Sequence, residues 1–124
     1  CRILLDFCRI PPQSWHIARS LQYRYGMAVY CFDIDGTLCA QEASDYSQAQ
    51  PFRSRIERVN ALFAEGHEIV LFTARGSKSG IDWRELTRSQ LAEWGVRYHE
   101  VILGKPHADF YIDDKAVHSD DFTW

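Results

Sequence analysis

The sequence lacks any apolar run long enough to cross a bilayer. Its longer ones, such as Ala28–Phe32 and Ile69–Phe72, fall far short of the ~20 residues a spanning helix needs, so no membrane partner is expected. It also lacks an excess of basic charge. With 14 Lys and Arg against 17 Asp and Glu the net charge is −3, which argues against nucleic acid held through a basic surface. The four cysteines at 1, 8, 31 and 39 form no Cys-x-x-Cys, and the histidines at 16, 67, 99, 107 and 118 show no ligand spacing. A zinc site is therefore not expected, and free thiols in a cytoplasmic protein are the simplest account of the cysteines. Cys31, inside an apolar run, reads as a small buried hydrophobe. Charge at Arg2 and Asp6 interrupts the opening stretch too early for a secretory signal, and the absence of an initial Met points to a fragment or a processed product. Internal repeats and low-complexity tracts are missing as well.

What is present is an ordinary globular composition, 46% hydrophobic and 25% charged over 124 residues, enough for one domain with a real core. We divide it into an N-terminal extension over 1–26 and a core over 27–124. In the extension, Pro11-Pro12 suits the start of a helix carried by Trp15, Ala18, Leu21 and Tyr25. In the core, Ala28–Phe32 reads as a strand buried on both faces. Phe52, Ile56, Val59 and Phe63 mark an amphipathic helix closed by Gly66, and Glu68–Phe72 is the next buried strand. Asp82 opens a second core helix with Glu85 as its capping-box partner. Trp83, Leu86, Gln90 and Trp94 share a face of that helix, which Gly95 ends. Val101–Leu103 and Asp109–Ile112 supply two further short strands. Strands alternating with helices predict an α/β, Rossmann-like three-layer sandwich with a mainly parallel sheet. In such sheets chemistry sits at the carboxyl ends of the strands.

Those ends carry a consistent chemistry. The first strand runs into Asp33-Ile34-Asp35-Gly36-Thr37, the second into Thr73-Ala74-Arg75, and the last into Asp113-Asp114, with Lys105 between Gly104 and Pro106. Crowded carboxylates resist ionising unless a cation is present, and magnesium accepts such oxygen ligands while leaving room for water and a substrate phosphate. Lys105 can balance phosphate charge and Thr73 can add a hydroxyl donor. Gly36 permits a sharp turn that lets backbone N–H groups face a phosphate.

These residues resemble the four signature motifs of the haloacid dehalogenase superfamily, in the family's order and over about residues 27–115. The resemblance implies catalytic roles for Asp33, Asp35, Thr73 and Lys105. Asp33 would attack phosphorus to give an aspartyl-phosphate, and Asp35 would exchange protons with the leaving oxygen and the attacking water. Thr73 and Lys105 would grip the phosphoryl oxygens, with Gly36, Thr37, Ala74 and Arg75 lining the substrate. Magnesium would be held at Asp33, Asp35, Asp113 and Asp114. Neither Cys39–Pro51 nor the stretch from Arg75 to Lys105 has room for the cap domain usual in that superfamily, so a capless member is expected. Its open site could be closed by a neighbouring copy in a homo-oligomer.

The expected activity is magnesium-dependent hydrolysis of a small phosphomonoester, such as a sugar phosphate. A nucleotide or nucleic-acid-end phosphatase is the second reading, and a non-catalytic phosphate-binding module the third. A signalling receiver domain has its acidic pair first and its lysine late, the reverse of the order here. Among residues with plainer readings, Arg75 could pair with an acidic neighbour instead of substrate. Trp83 and Trp94 read as core, Asp120-Asp121 as a solvated end, and His107 as the histidine nearest the site.

Overall fold

The computed structural model describes residues 26–41 and 45–124. The expected helix carried by Trp15, Ala18, Leu21 and Tyr25 and the role of the extension lie outside the described residues. Strand β1 (Val29–Phe32) is followed by a small antiparallel pair, β2 (Cys39–Ala40) and β3 (Gln50–Pro51), with a 3-10 turn at Tyr46–Gln48 between them. Helix α1 (Arg53–Ala64), strand β4 (Glu68–Thr73), helix α2 (Arg84–Glu93) and strand β5 (Glu100–Leu103) complete the order. The main sheet is three parallel strands in the order β1-β4-β5, so the fold is α/β as the alternation required.

Register is what builds the site. Phe32 lies opposite Leu71, and Thr73 opposite Leu103. Because both pairings are parallel, Asp33, Thr73 and Lys105 leave their strands at one edge of the sheet. Central β4 is buried at every position but Phe72, as its unbroken apolar run demands. Helix α1 packs Ile56, Val59 and Leu62 inward at helical spacing, and α2 buries Thr87, Gln90 and Leu91, with Trp94 just beyond.

Several expectations are corrected. Strand β1 has no neighbour on its outer side among the described residues, so only Phe32 in it is buried and Cys31 is exposed. Helix α2 begins at Arg84, two residues after Asp82, whose carboxylate accepts the Arg84 N–H; no Glu85 capping box forms. Trp83 precedes the helix and meets Tyr46 edge-on. No strand forms over Asp109–Ile112, where Phe110 is 83% and Ile112 97% exposed. That segment folds on itself instead: the Tyr111 hydroxyl donates to the Pro106 carbonyl and accepts the Ala108 N–H. Asp120 and Asp121 are exposed as expected, but the aromatic residues that follow them are not simply solvated. Phe122 and Trp124 pack on Tyr30 and Phe32.

Behind the sheet, His99 stacks on Phe63 at 4.5 Å and its Nδ1 accepts the Ile69 N–H. Burial lowers its pKa below the ordinary histidine value. A depressed histidine pKa leaves stability intact above the unfolded value of about 6.5 and removes it as pH falls from there towards the folded value. Urea midpoints should therefore decline below about pH 6.5. In His99→Gln that part of the decline should be missing; an unchanged profile in the variant would remove His99 as its cause.

Candidate active site

The turn after β1 is wound tightly about Ile34, which is fully buried. The Ile34 carbonyl accepts the N–H groups of Thr37, Leu38 and Cys39 at 3.1, 2.8 and 3.3 Å, and the Gly36 N–H donates to the Cys39 carbonyl at 2.8 Å. Gly36 has φ 82°, the left-handed region open to glycine at little cost. The Gly36 and Thr37 amides are thus both bonded inside the turn.

Asp33 is one-third exposed, with Lys105 Nζ 3.4 Å from its Oδ1 and the Thr37 hydroxyl donating to its Oδ2 at 3.2 Å. Burial pushes the Asp33 pKa above the ordinary carboxylate value, and the Lys105 charge offsets part of that rise. Lys105 is positioned by β5, whose ladder its N–H extends to the Thr73 carbonyl, and its Nζ stands 4.3 Å from the Tyr111 ring centroid. The Ser77 hydroxyl fastens the Lys105 carbonyl at 2.6 Å. Thr73 is buried at the end of β4 and its hydroxyl accepts the Arg75 N–H at 3.1 Å. Half-buried Ala74 accepts the Ser77 N–H through its carbonyl.

Arg75 takes the plainer of its two expected roles and pairs with an acidic neighbour. Its side chain is fully buried, and it donates to both oxygens of Asp35 at 2.8 and 2.9 Å. Burial works against its charge, yet the bonds to Asp35 outweigh that, and its pKa lies above the ordinary arginine value. Cys39 also leans on Asp35, 3.5 Å from Oδ1. Burial, reinforced by the Asp35 charge, pushes the Cys39 thiol up to about 12, so it remains a donor.

Asp113 and Asp114 are exposed on a turn, where the Asp113 carboxylate accepts the Lys115 N–H and is held below its ordinary pKa chiefly by that bond. Among the described residues no three His, Cys, Asp or Glu side chains converge as a metal group, so the expected set Asp33, Asp35, Asp113 and Asp114 is not assembled. Magnesium is commonly held by one or two carboxylates with water and substrate oxygens. Of that set, Asp33 and Asp35 both follow directly on the first strand. The fit to magnesium is partial. His107 is exposed.

Sequence reasoning missed Arg55. From α1 it donates to the Thr37 carbonyl at 3.1 Å, pairs with Asp120 at 3.0 Å and lies 4.9 Å over the Trp124 ring, tying the C-terminal residues to the Asp33 turn. Nothing in its local spacing marks it, because all three partners are distant in sequence. A cleft of about 450 Å³ between β3 and α2, lined by Ser47, Gln50, Arg53, Ser89 and Glu93, includes none of Asp33, Asp35, Thr73 or Lys105.

Solved structures similar to this chain include the following two. A structural-genomics target from Vibrio cholerae superimposes with a TM-score of 0.70 at 32% identity, over 76% of this chain and 85% of that one. A chain of the Pnkp1/Rnl/Hen1 complex gives a TM-score of 0.50 at 20% identity, over 71% of this chain and 30% of that one, a likeness of fold alone. No family model and no curated protein matches.

Proposed function

The chain belongs to the family of that Vibrio cholerae protein, and we propose, from its own residues, that it is a magnesium-dependent phosphomonoester hydrolase of the capless haloacid dehalogenase type. The observation that supports this best is the placement of Asp33. It stands at the carboxyl end of a parallel strand, partly exposed, with a lysine ammonium on one oxygen and a threonine hydroxyl on the other. A carboxylate so held is oriented for in-line attack, and the same ammonium can follow charge onto the phosphoryl oxygens.

In this reading an Asp33 oxygen bonds to phosphorus as the ester P–O bond breaks, and the leaving oxygen departs with a proton from Asp35. Water then attacks the same phosphorus, gives its proton to Asp35, and breaks the bond to Asp33 to release inorganic phosphate. Lys105 balances the transferred charge in both steps, helped by the Thr73 hydroxyl. A magnesium ion held through Asp33 and the Asp35 carbonyl would neutralise phosphoryl charge. The substrate class we favour is a small phosphorylated metabolite such as a sugar phosphate, admitted by an edge without a cap. The net charge of −3 disfavours a polynucleotide.

Phosphate release from p-nitrophenyl phosphate and from a panel of sugar and nucleotide phosphates, with and without magnesium, tests the proposal. Turnover is expected only with magnesium, and fastest on the sugar phosphates. A ranking led by nucleotides would replace the substrate class. Absence of turnover on every ester by folded protein would leave a phosphate-binding module.

A further inference from the structure

We propose that Arg75 is the positioning residue for Asp35, and that it controls the hydrolysis of phosphorylated Asp33 more than its formation. The inference rests on the roles given to Asp33 and Asp35 above. Its observations concern one guanidinium group. Arg75 Nε donates to Asp35 Oδ2 at 2.9 Å and Nη2 donates to Oδ1 at 2.8 Å, so two parallel bonds fix both the position and the plane of the carboxylate. The remaining nitrogen, Nη1, donates to the Thr87 hydroxyl at 3.2 Å and to Gln90 Oε1 at 2.7 Å. Tyr46 lies against the guanidinium face, its ring centroid 4.8 Å away, and Gln90 in turn donates to the Tyr46 carbonyl. The arginine is thereby oriented from α2 before it orients Asp35.

Buried ion pairs seldom stabilise a fold better than apolar side chains of the same size. A fork that spends both Asp35 contacts on geometry is what a proton-exchanging carboxylate needs if it must meet a water at a set angle.

The two chemical steps differ in how much they need Asp35. With an aryl phosphate such as p-nitrophenyl phosphate, the leaving phenolate departs without a proton, so phosphorylation of Asp33 proceeds without help. Attack by water still requires its proton to be taken. Arg75→Lys keeps the charge and loses the fork. We expect it to lower kcat on p-nitrophenyl phosphate by about 10–100-fold, the scale of general-base assistance. KM should fall in proportion, kcat/KM should stay within about twofold, and a pre-steady-state burst of p-nitrophenolate should appear.

If kcat and kcat/KM fell together without a burst in a folded variant, or neither changed, the positioning role would be overturned. Should Arg75→Lys not fold, Gln90→Met carries the test. It removes one restraint on the guanidinium and leaves the Asp35 pair in place, so the same pattern is expected at smaller size, and its absence would overturn the proposal. Failure of the broader reading looks different: the wild-type protein itself would give no turnover, and both proposals would fall together.

Discussion

Asp33→Asn is expected to abolish phosphate release, by at least about 10⁴-fold, because it removes the group that forms the covalent bond. Asparagine keeps the size and the hydrogen-bonding reach of the side chain, so Thr37 and Lys105 can stay where they are. The same substitution should make the protein more stable. Burial raises the Asp33 pKa in spite of Lys105, so the folded state favours the protonated form. For a carboxylate shifted in that direction, the favourable contribution exists below the unfolded pKa and is lost as pH rises through the folded value. At neutral pH the ionised side chain is therefore a cost to the fold, and Asn removes it. The variant should therefore melt above the wild type at neutral pH, a stability gained at the cost of function. Thermal melts of both proteins from neutral to acid pH would show the difference shrinking as Asp33 protonates. A variant that retained a tenth of the wild-type rate would rule Asp33 out as nucleophile, whatever its stability.

Leu71→Ala should cost about 3–4 kcal/mol, the upper part of the range for a truncated core leucine. Leu71 is fully buried in the central strand, with Phe32 opposite it on β1 and Val101 on β5. The two flanking strands are held apart by the backbone ladder and cannot close on the cavity. Against a total of about 5–15 kcal/mol this is a large fraction, enough to leave the variant marginal at 37 °C. Urea denaturation would register it as a lower midpoint with an unchanged slope. A loss below about 1 kcal/mol would mean that the core relaxes into the space, contrary to the close packing argued from β4.

Fold and site are unequally legible in the sequence. The local sequence was enough for β1, α1, β4, α2 and β5, since each carries its own periodicity and its own punctuation at Gly66, Gly95 or Gly104. Parallel pairing followed from the alternation of strand and helix, and with it the arrival of Asp33, Thr73 and Lys105 at one edge. Local spacing says which face of a segment is apolar; it does not say what that face will meet. For that reason Cys31, expected to be buried, is exposed on a strand without an outer neighbour, and Asp109–Ile112, expected to be a strand, pairs with none among the described residues.

The chain by itself thus determined the order of elements and the chemistry placed at their ends. Tertiary structure alone decided which of those groups act on one another. Arg75 reaches Asp35 across 40 residues, and Arg55 reaches Asp120 across 65. Such pairs are chosen by the geometry of packed helices against a sheet. A guanidinium buried beside a carboxylate must find it wherever the fold has carried it, and no periodicity in the sequence records that distance.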